Sequence, residues 1–312
     1  MLIVTGGAGF IGSNLVKRLN GLGRTDILVV DNLSRSEKFR NLADLTIADY
    51  LDKREFRARL DHGRLDIDAE AVFHNGACSD TMESDGRYMM ENNFGDSKAV
   101  LEWCLSRKVP LVYASSGATY GASTGFAVQP ANERPLNVYG WSKLAFDQHV
   151  RHRFAGIASP VIGLRYFNVY GPREQHKGRM MSVLHQLLRQ LSKDGECRLF
   201  TGTDGYGDGE QVRDFVFVGD IVDLNLHFAF GPMRKGIFNA GTGKARSFNA
   251  IAKALIAHLG RGKIRYIPFP EELRGKYQSY TQAELGTLRS EGGYTAAFTE
   301  LEEGIRATLA EL

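Results

Sequence analysis

Tyr139-Gly140-Trp141-Ser142-Lys143 sets a phenol and an ammonium four residues apart, a spacing that puts both on one face of a helix. A cation beside a phenol favours the phenolate. The pair therefore predicts a tyrosine whose pKa falls toward the range where it takes and gives a proton near neutrality. Tyr-x-x-x-Lys alone is common on amphipathic helices, so its meaning rests on its neighbours. Upstream, Tyr113-Ala114-Ser115-Ser116-Gly117-Ala118-Thr119-Tyr120-Gly121 ends an apolar strand in hydroxyls. Ser116 either caps that strand end or hydrogen-bonds a reacting oxygen and shares its proton with Tyr139. Downstream, His176-Lys177-Gly178-Arg179 precedes a leucine-striped segment. Lys177 reads either as a phosphate anchor among basic neighbours or as a second acid/base group. Arg213-Asp214 reads either as a surface ion pair or as a bidentate arginine contact to a diphosphate.

The first residues suggest what such groups would act with. The apolar run Met1-Leu2-Ile3-Val4 passes directly into Thr5-Gly6-Gly7-Ala8-Gly9-Phe10-Ile11-Gly12. A strand that turns through close glycines into a helix is a dinucleotide-binding signal. Among Gly6, Gly9 and Gly12, one makes the tight turn, one admits a pyrophosphate to the backbone, and one packs the helix on the strand. The helix N-terminus then favours the phosphates. Asp31 ends the second apolar run nineteen positions after Gly12, where a ribose hydroxyl contact is expected, which favours NAD. Asn32, Arg35, Lys38 and Lys53 lie close by and suit the 2′-phosphate of NADP, or form a solvated basic loop. On these residues alone both cofactors remain open. Lys143 would reach the nicotinamide ribose.

Positioning these groups requires parallel strands whose carboxyl ends converge. Residues Gly12 to Leu22 carry Leu15 and Leu19 at helical spacing after Ile11. Ala71 to His74 and Val109 to Ala114 read as buried strands, with a helix from Asp85 to Arg107 between them. Val161 to Tyr166 reads as a further strand after the helix holding Tyr139. This alternation predicts an α/β fold, a Rossmann-type doubly wound parallel sheet with helices on both faces. After Gly171-Pro172 the texture changes. Leu184, Leu187, Leu188 and Leu191 form one helical stripe, the glycine-rich loop Gly202 to Gly209 follows, Phe215 to Phe230 reads as a sheet-packing helix, and Gly236 to Asn239 as a strand. The expected division is a dinucleotide-binding domain from 1–171 plus about 214–241. A smaller, discontinuous C-terminal α/β substrate domain then takes about 172–213 plus 242–312.

The bulk properties bound the answer. With 312 residues the chain can bury a substantial core, and 43% hydrophobic with 24% charged residues is ordinary for a soluble globular protein. A formal charge of +3 with scattered basic residues argues against a nucleic-acid partner. Cys78, Cys104 and Cys197 are an odd, widely spaced set, which suits a reducing compartment and neither a disulfide framework nor a zinc site. His74 and Cys78 read as a buried structural pair, and no metal is expected. The chain opens on its first strand, so no signal peptide is expected, and no apolar run reaches membrane length; the expectation is a soluble, cytoplasmic protein.

Six ordered motifs together resemble an extended short-chain dehydrogenase/reductase acting on nucleotide-activated sugars. They are the glycine turn, Ser116, Tyr139 to Lys143, Leu164-Arg165-Tyr166-Phe167-Asn168-Val169-Tyr170-Gly171-Pro172, Arg213-Asp214-Phe215-Val216, and Phe238-Asn239-Ala240-Gly241-Thr242-Gly243. The finer resemblance is to the ADP-L-glycero-D-manno-heptose 6-epimerase family of lipopolysaccharide core-heptose biosynthesis. It is carried by Asp31-Asn32-Leu33, Ile47-Ala48-Asp49-Tyr50, Gly76-Ala77-Cys78-Ser79 and Tyr88-Met89-Met90-Glu91-Asn92-Asn93. Further along it is carried by Gly171-Pro172-Arg173-Glu174 with His176-Lys177-Gly178, and by Ile267-Pro268-Phe269-Pro270 with Tyr277-Gln278.

The resemblance implies Tyr139 and Lys177 as the two acid/base groups, assisted by Ser116 and Lys143. It implies one NADP per subunit, touched by Phe10, Ile11, Asp31, Asn32, Lys38, Lys53, Asn75, Gly76, Ala77, Cys78, Ser79, Asn92, Lys143 and Val169. Substrate contacts carry over to Asn168, Phe200, Thr201, Gly202, Thr203, Arg213 and Tyr277. They extend to Arg179, where some members have a small hydroxyl residue, and to Gln186 or its neighbour His185. The loop Asp204 to Val212 is longer than in some members. The implied reaction interconverts ADP-D-glycero-D-manno-heptose and ADP-L-glycero-D-manno-heptose by transient oxidation at C6″. A homo-oligomer, a pentamer, is also implied. Dehydratases resembling this group place an acidic pair beside the residue matching Ser116, whereas here Gly117-Ala118 follows. The rival readings are a UDP-hexose 4-epimerase using the same Tyr139-Lys143 pair, and a non-catalytic nucleotide-binding sensor.

Overall fold

The computed structural model describes residues 1–273 and 277–312. Its strands are β1 (Leu2–Thr5), β2 (Ile27–Asp31), β3 (Asp49–Asp52), β4 (Ala71–His74), β5 (Leu111–Ser116), β6 (Val161–Tyr166), β7 (Asn168–Tyr170), β8 (Glu196–Phe200), β9 (Val212–Phe217), β10 (Lys235–Ala240), β11 (Ala245–Ser247) and β12 (Lys263–Ile267). The helices are α1 (Phe10–Gly21), α2 (Lys53–Asp61), α3 (Gly86–Met89), α4 (Asp96–Arg107), α5 (Val138–Arg153), α6 (Val183–Asp194), α7 (Val218–Phe230), α8 (Phe248–Leu259), α9 (Gly286–Ser290) and α10 (Leu301–Leu309).

Seven strands form one parallel sheet in the order β10-β6-β5-β4-β1-β2-β3. Both faces are covered, so the central strands are apolar along their whole length rather than alternating with polar residues. Leu2 and Val4 pack with Leu15 and Leu19 of α1 and with Ile221, Leu224 and Phe228 of α7. Ile3, Val72 and Leu111 face the other way, onto Phe56 of α2, Leu101 of α4 and Phe146 of α5. The chain leaves β1 toward β2 and β3, then crosses back to β4 on the other side. That reversal opens a crevice at the carboxyl ends of β1 and β4, where α/β sheets bind ligands.

The remaining strands build two smaller sheets. β7 follows β6 after one residue and pairs in parallel with β9, which also pairs antiparallel with β11. β8 pairs in parallel with β12. A separate apolar cluster joins Leu184, Leu187 and Leu191 of α6 to Leu199 of β8, Ile251 and Leu255 of α8, and Leu301 and Ile305 of α10.

Two sequence expectations change, and one strand, β3, carries no sequence signal. The run from Phe215 to Phe230 is not one helix: Val212–Phe217 is strand β9, and α7 begins at Val218, because the aromatic and valine-rich run pairs on both edges. The helix expected from Asp85 to Arg107 is interrupted by a π-helical turn at Met90–Gly95, which 3.6-residue periodicity does not reveal. β3 is a short edge strand with one buried residue, Leu51, and so carries no apolar run to read.

A buried charge network pins α5 to the sheet. Asp147 accepts hydrogen bonds from Tyr113 (3.0 Å), Ser115 (2.9 Å) and Arg165 Nε (2.9 Å). Arg165 is fully buried and donates also to Glu133 (2.5 Å), which Arg151 grips with both guanidinium nitrogens. Asp147→Ala would leave the Arg165 charge short of its main partner, and is expected to cost about 3–5 kcal/mol of stability. Urea unfolding checks this; a loss below about 1 kcal/mol, the scale of an exposed pair, would show that the network does not anchor the helix.

Candidate active site

The crevice is a cleft of about 1270 Å³, larger than the usual range of roughly 300–1,000 Å³ for one small ligand. The glycine turn forms its floor. Gly6 has φ +68, and a Cβ there would stand 2.8 Å from the Asn75 carbonyl carbon. A Cβ on Gly12 would stand 2.2 Å from the Gly6 carbonyl oxygen. The turn after β1, the loop after β4 and the start of α1 are thus in backbone contact. Thr5 ties them: its Oγ1 meets His74 Nδ1 at 2.7 Å and accepts from Gly76 N at 3.0 Å. His74 reaches on to Ser97 at 2.9 Å, and burial drives its pKa down to about 3. It is a neutral structural histidine, and Cys78, Cys104 and Cys197 are free thiols. The N-cap residue of α1, Gly9, offers no side-chain cap, so the first-turn amides remain available to an anion.

Asp31 closes β2 with its carboxylate already engaged. One oxygen accepts from Ala8 N at 2.9 Å, and the other from Asn32 N at 2.7 Å and from the Lys38 ammonium. Lys38 also donates to Asn32 O at 2.9 Å, while Lys53 bonds Asn92 and lies 5.9 Å over the Tyr88 ring. Arg35, Lys38 and Lys53 all line the cleft beside Asp31. Asn75 lines it too, and its Nδ2 is buried without a partner. An orphaned buried donor at that wall, with the side-chain-free glycine cradle, fits a dinucleotide.

The π turn holds the residue that sequence reasoning missed. Asn93 accepts from Cys78 N (2.8 Å) and donates to Cys78 O (2.9 Å) and Ser142 Oγ (3.0 Å). One buried amide thereby locks the loop after β4 to the start of α5. Only the Asn-Asn doublet within the resembling stretch hinted at it.

α5 is capped by Asn137, whose side chain accepts from Gly140 N at 2.8 Å. A Cβ on Gly140 would stand 2.6 Å from the Ala118 carbonyl oxygen, so the first turn of α5 lies against the segment after β5. That contact brings Ser116 close enough for its hydroxyl to act on the Tyr139 phenol. The expected lowering of the Tyr139 pKa by Lys143 is not found. Burial pushes the phenol above its ordinary value and the Ser116 hydroxyl opposes this only in part. Lys143 instead donates to Ala114 O at 2.8 Å, and burial lowers its ammonium to about 8.

Across the cleft, Lys177 sits on a turn at Gln175–Met180, 3.7 Å from Glu174 and 5.0 Å over the Phe10 ring. Burial lowers its pKa, and Glu174 opposes that. Arg213 of β9 is buried between the rings of Tyr277 (4.6 Å) and Phe248 (5.6 Å). It donates a hydrogen bond to Val212 O at 2.9 Å. Among the described residues no carboxylate pairs with it, and burial lowers its pKa. Asp214 is not its partner: that carboxylate accepts from Thr242 N (2.7 Å), Gly243 N (2.8 Å) and Ala283 N (2.9 Å). A desolvated guanidinium without an acid, facing a cleft, is an anion site.

Every other residue expected at the cofactor lines this cleft: Gly6, Gly9, Phe10, Ile11, Gly12, Asn32, Gly76, Ala77, Cys78, Ser79, Asn92, Lys143 and Val169. Asn168, Arg179, Gln186, Phe200, Arg213 and Tyr277, the residues expected at a substrate, line it too. Arg179 is held at its rim by Asp80 at 2.6 Å. His185 turns away to Gly171 O at 2.7 Å, so of the two it is Gln186 that lines the cleft. Thr201, Gly202 and Thr203 are not in the wall. Thr201 Oγ1 accepts from Phe269 N at 3.2 Å and Gly202 N donates to Asp208 at 2.8 Å, so this stretch is braced by Phe269 and by its own loop.

Gly12→Ala forces a methyl into backbone and is expected to cost about 1–3 kcal/mol at that packing contact. Dinucleotide affinity should fall about tenfold or more on that scale, as calorimetry would read; unchanged affinity would remove the glycine turn from the site.

The model of the NAD dependent epimerase/dehydratase family matches residues 2–241. The ADP-L-glycero-D-manno-heptose-6-epimerase of Alkalilimnicola ehrlichii is 58% identical over 306 residues, which is 98% of this chain and 95% of that protein. The solved Helicobacter pylori ADP-L-glycero-D-manno-heptose-6-epimerase superposes with a TM-score of 0.84 at 32% identity, covering 99% of this chain and 94% of that one. The Thermotoga maritima UDP-glucose 4-epimerase, solved with UDP-glucose, gives a TM-score of 0.81 at 27% identity, covering 99% and 97%. Among the described residues no helix is long and apolar enough to cross a membrane. With that family's model matching residues 2–241 and a relative 58% identical over nearly its whole length, the chain belongs to the NAD dependent epimerase/dehydratase family.

Proposed function

We propose that the chain is an NADP-dependent ADP-glyceromanno-heptose 6-epimerase, interconverting the D-glycero and L-glycero epimers for lipopolysaccharide core-heptose assembly. One observation carries the reading. Two proton-exchanging groups on separate elements, Tyr139 of α5 and Lys177 of the 175–180 turn, line a single cleft beside the glycine turn. An epimerase that accepts both hydroxyl orientations needs a partner for each. A 4-epimerase of a UDP-hexose built on Tyr139 and Lys143 has no use for Lys177. The name of the 58% identical relative points the same way.

Held along the glycine turn with Asp31, Asn32, Lys38 and Lys143 beside it, NADP would supply reversible hydride exchange at C6″. The protein manages the protons and the positions. Tyr139 removes or restores the hydroxyl proton for one epimer and Lys177 for the other, while Ser116 donates to the reacting oxygen. Burial lowers the pKa of both Lys177 and Lys143, which favours the neutral amine. Arg213, stacked by Tyr277 and Phe248, binds the substrate diphosphate, with Asn168, Arg179, Gln186 and Phe200 around the nucleotide and sugar. In the proposed division, 1–171 plus about 214–241 hold the cofactor and about 172–213 plus 242–312 the substrate. A cytoplasmic homo-oligomer, a pentamer, belongs to the same proposal.

The test of the activity is NMR resolution of the two ADP-heptose epimers after incubation, with UDP-glucose as the control substrate. Epimerisation of UDP-glucose alone would overturn the reading. Tyr139→Phe is expected to lose about 10²–10⁴-fold in turnover. Lys177→Met is expected to block interconversion; a raised KM with nearly normal kcat would make Lys177 a phosphate anchor instead.

NADP is preferred because the Asp31 carboxylate is occupied by Ala8, Asn32 and Lys38, and Arg35, Lys38 and Lys53 stand beside it. Calorimetric titration should show tighter binding of NADP than NAD, with the gap narrowed in Lys38→Ala. Equal or tighter NAD binding would overturn the preference.

A further inference from the structure

We propose that Glu174 is the positioning residue for Lys177: its buried carboxylate, 3.7 Å from the ammonium, holds that side chain in the cleft and stabilises its proton. The inference rests on the role proposed for Lys177 and adds the group through which that role is set.

Glu174 is wholly buried, and a buried carboxylate is costly unless donors and a cation compensate it. The fold builds a socket for it. Oε2 accepts from Ser182 N at 2.6 Å, while Oε1 accepts from Ser182 Oγ at 2.5 Å and from Gly171 N at 3.4 Å. These donors come from the end of β7 and the cap of α6, two fixed elements, so the carboxylate has a fixed address. The separation from Lys177 exceeds hydrogen-bond distance. The attraction is therefore ionic and leaves the ammonium protons free for the cleft.

The other charged and titratable groups around Lys177 are accounted for. His176 beside it is pulled down to about 4 by burial and by Lys38 and Lys177, and so is neutral near pH 7; Asp31 and Arg35 act on that same imidazole. Arg173 is held by Asn41 O and Asp44, and Arg179 by Asp80. His185 of α6 lies 3.5 Å from Glu174 but donates to Gly171 O. From α1 comes only the Phe10 ring. Among the described residues, Glu174 is the one charge acting directly on Lys177.

The experiment measures the pH dependence of Lys177 acetylation by acetic anhydride, read by mass spectrometry on the intact protein, alongside kcat/KM–pH profiles. In Glu174→Gln the labelling midpoint should move about one pH unit or more toward acid, since an opposite charge at this range is lost. The kinetic limb belonging to Lys177 should move the same way whichever epimer is supplied. Glu174→Asp, which keeps the charge but withdraws it by one methylene, should show a smaller shift. It also carries the test alone if the Gln variant does not fold. Ser182→Ala, which weakens the socket but keeps the carboxylate, should leave the midpoint in place. An unmoved midpoint in the Glu174 variants, or an equal shift in Ser182→Ala, overturns the inference. If Lys177→Met still epimerises, the base role fails while the labelling still judges Glu174. If Lys177→Met blocks epimerisation and the midpoint stays put, only the Glu174 inference falls.

Discussion

The site depends first on where α5 is held, and the Asp147 carboxylate decides that. Tyr139, Lys143 and Asp147 follow one another at four-residue steps on a single helix face. The last of them is bound by Tyr113 and Ser115 of β5 and by Arg165 of β6. Lys143 adds a bond to Ala114 O, and Ser142 is held by Asn93. The helix can neither slide nor roll without breaking buried charged contacts. Burying such a network is not the cheapest way to gain stability, since desolvation offsets much of the attraction. What it secures is a fixed phenol.

Burial also sets the proton inventory. The same lack of water that raises Tyr139 lowers Lys143 and Lys177, because in each case the charged form loses hydration. The neutral forms of acid and base are thereby favoured together. The sequence suggests a phenol activated by its lysine neighbour; the folded arrangement gives that lysine a backbone carbonyl and gives the phenol a serine. The neighbour that acts on the Tyr139 phenol is thus Ser116 and not Lys143.

Local chemistry was legible where it depends on neighbours in the chain. The glycine turn, the apolar strands of the main sheet and the Tyr139–Lys143 spacing are all short-range patterns, and each is found where periodicity places it. What escaped is set by contacts distant in sequence. Asn93 matters because a π turn rotates it onto Cys78 and Ser142. Asp214 turns from Arg213 because Thr242, Gly243 and Ala283 supply amides from far along the chain. Thr201 to Thr203, expected at a substrate beside Phe200, lie outside the cleft wall, and Thr201 bonds Ile267 O and Phe269 N from far along the chain. Period-based reading also merged β9 into α7, since strand and helix are both apolar across that boundary.

The two sides of the cleft are related by a short covalent step. β6 is part of the seven-stranded sheet; Phe167 alone separates it from β7, which pairs with β9 at Asn168↔Phe215 and Val169↔Val216. Phe167 N donates back to Ala240 O at 3.0 Å, so the step itself is tied to the sheet. Arg213 stands two residues before the first of those pairs. Its distance from the end of β6 is consequently fixed by backbone hydrogen bonds instead of by side-chain packing, and β6 is the strand that Arg165 locks to Asp147 beneath the catalytic helix. One continuous path of backbone pairs and buried charge therefore joins Arg213 to the helix that carries the Tyr139 phenol.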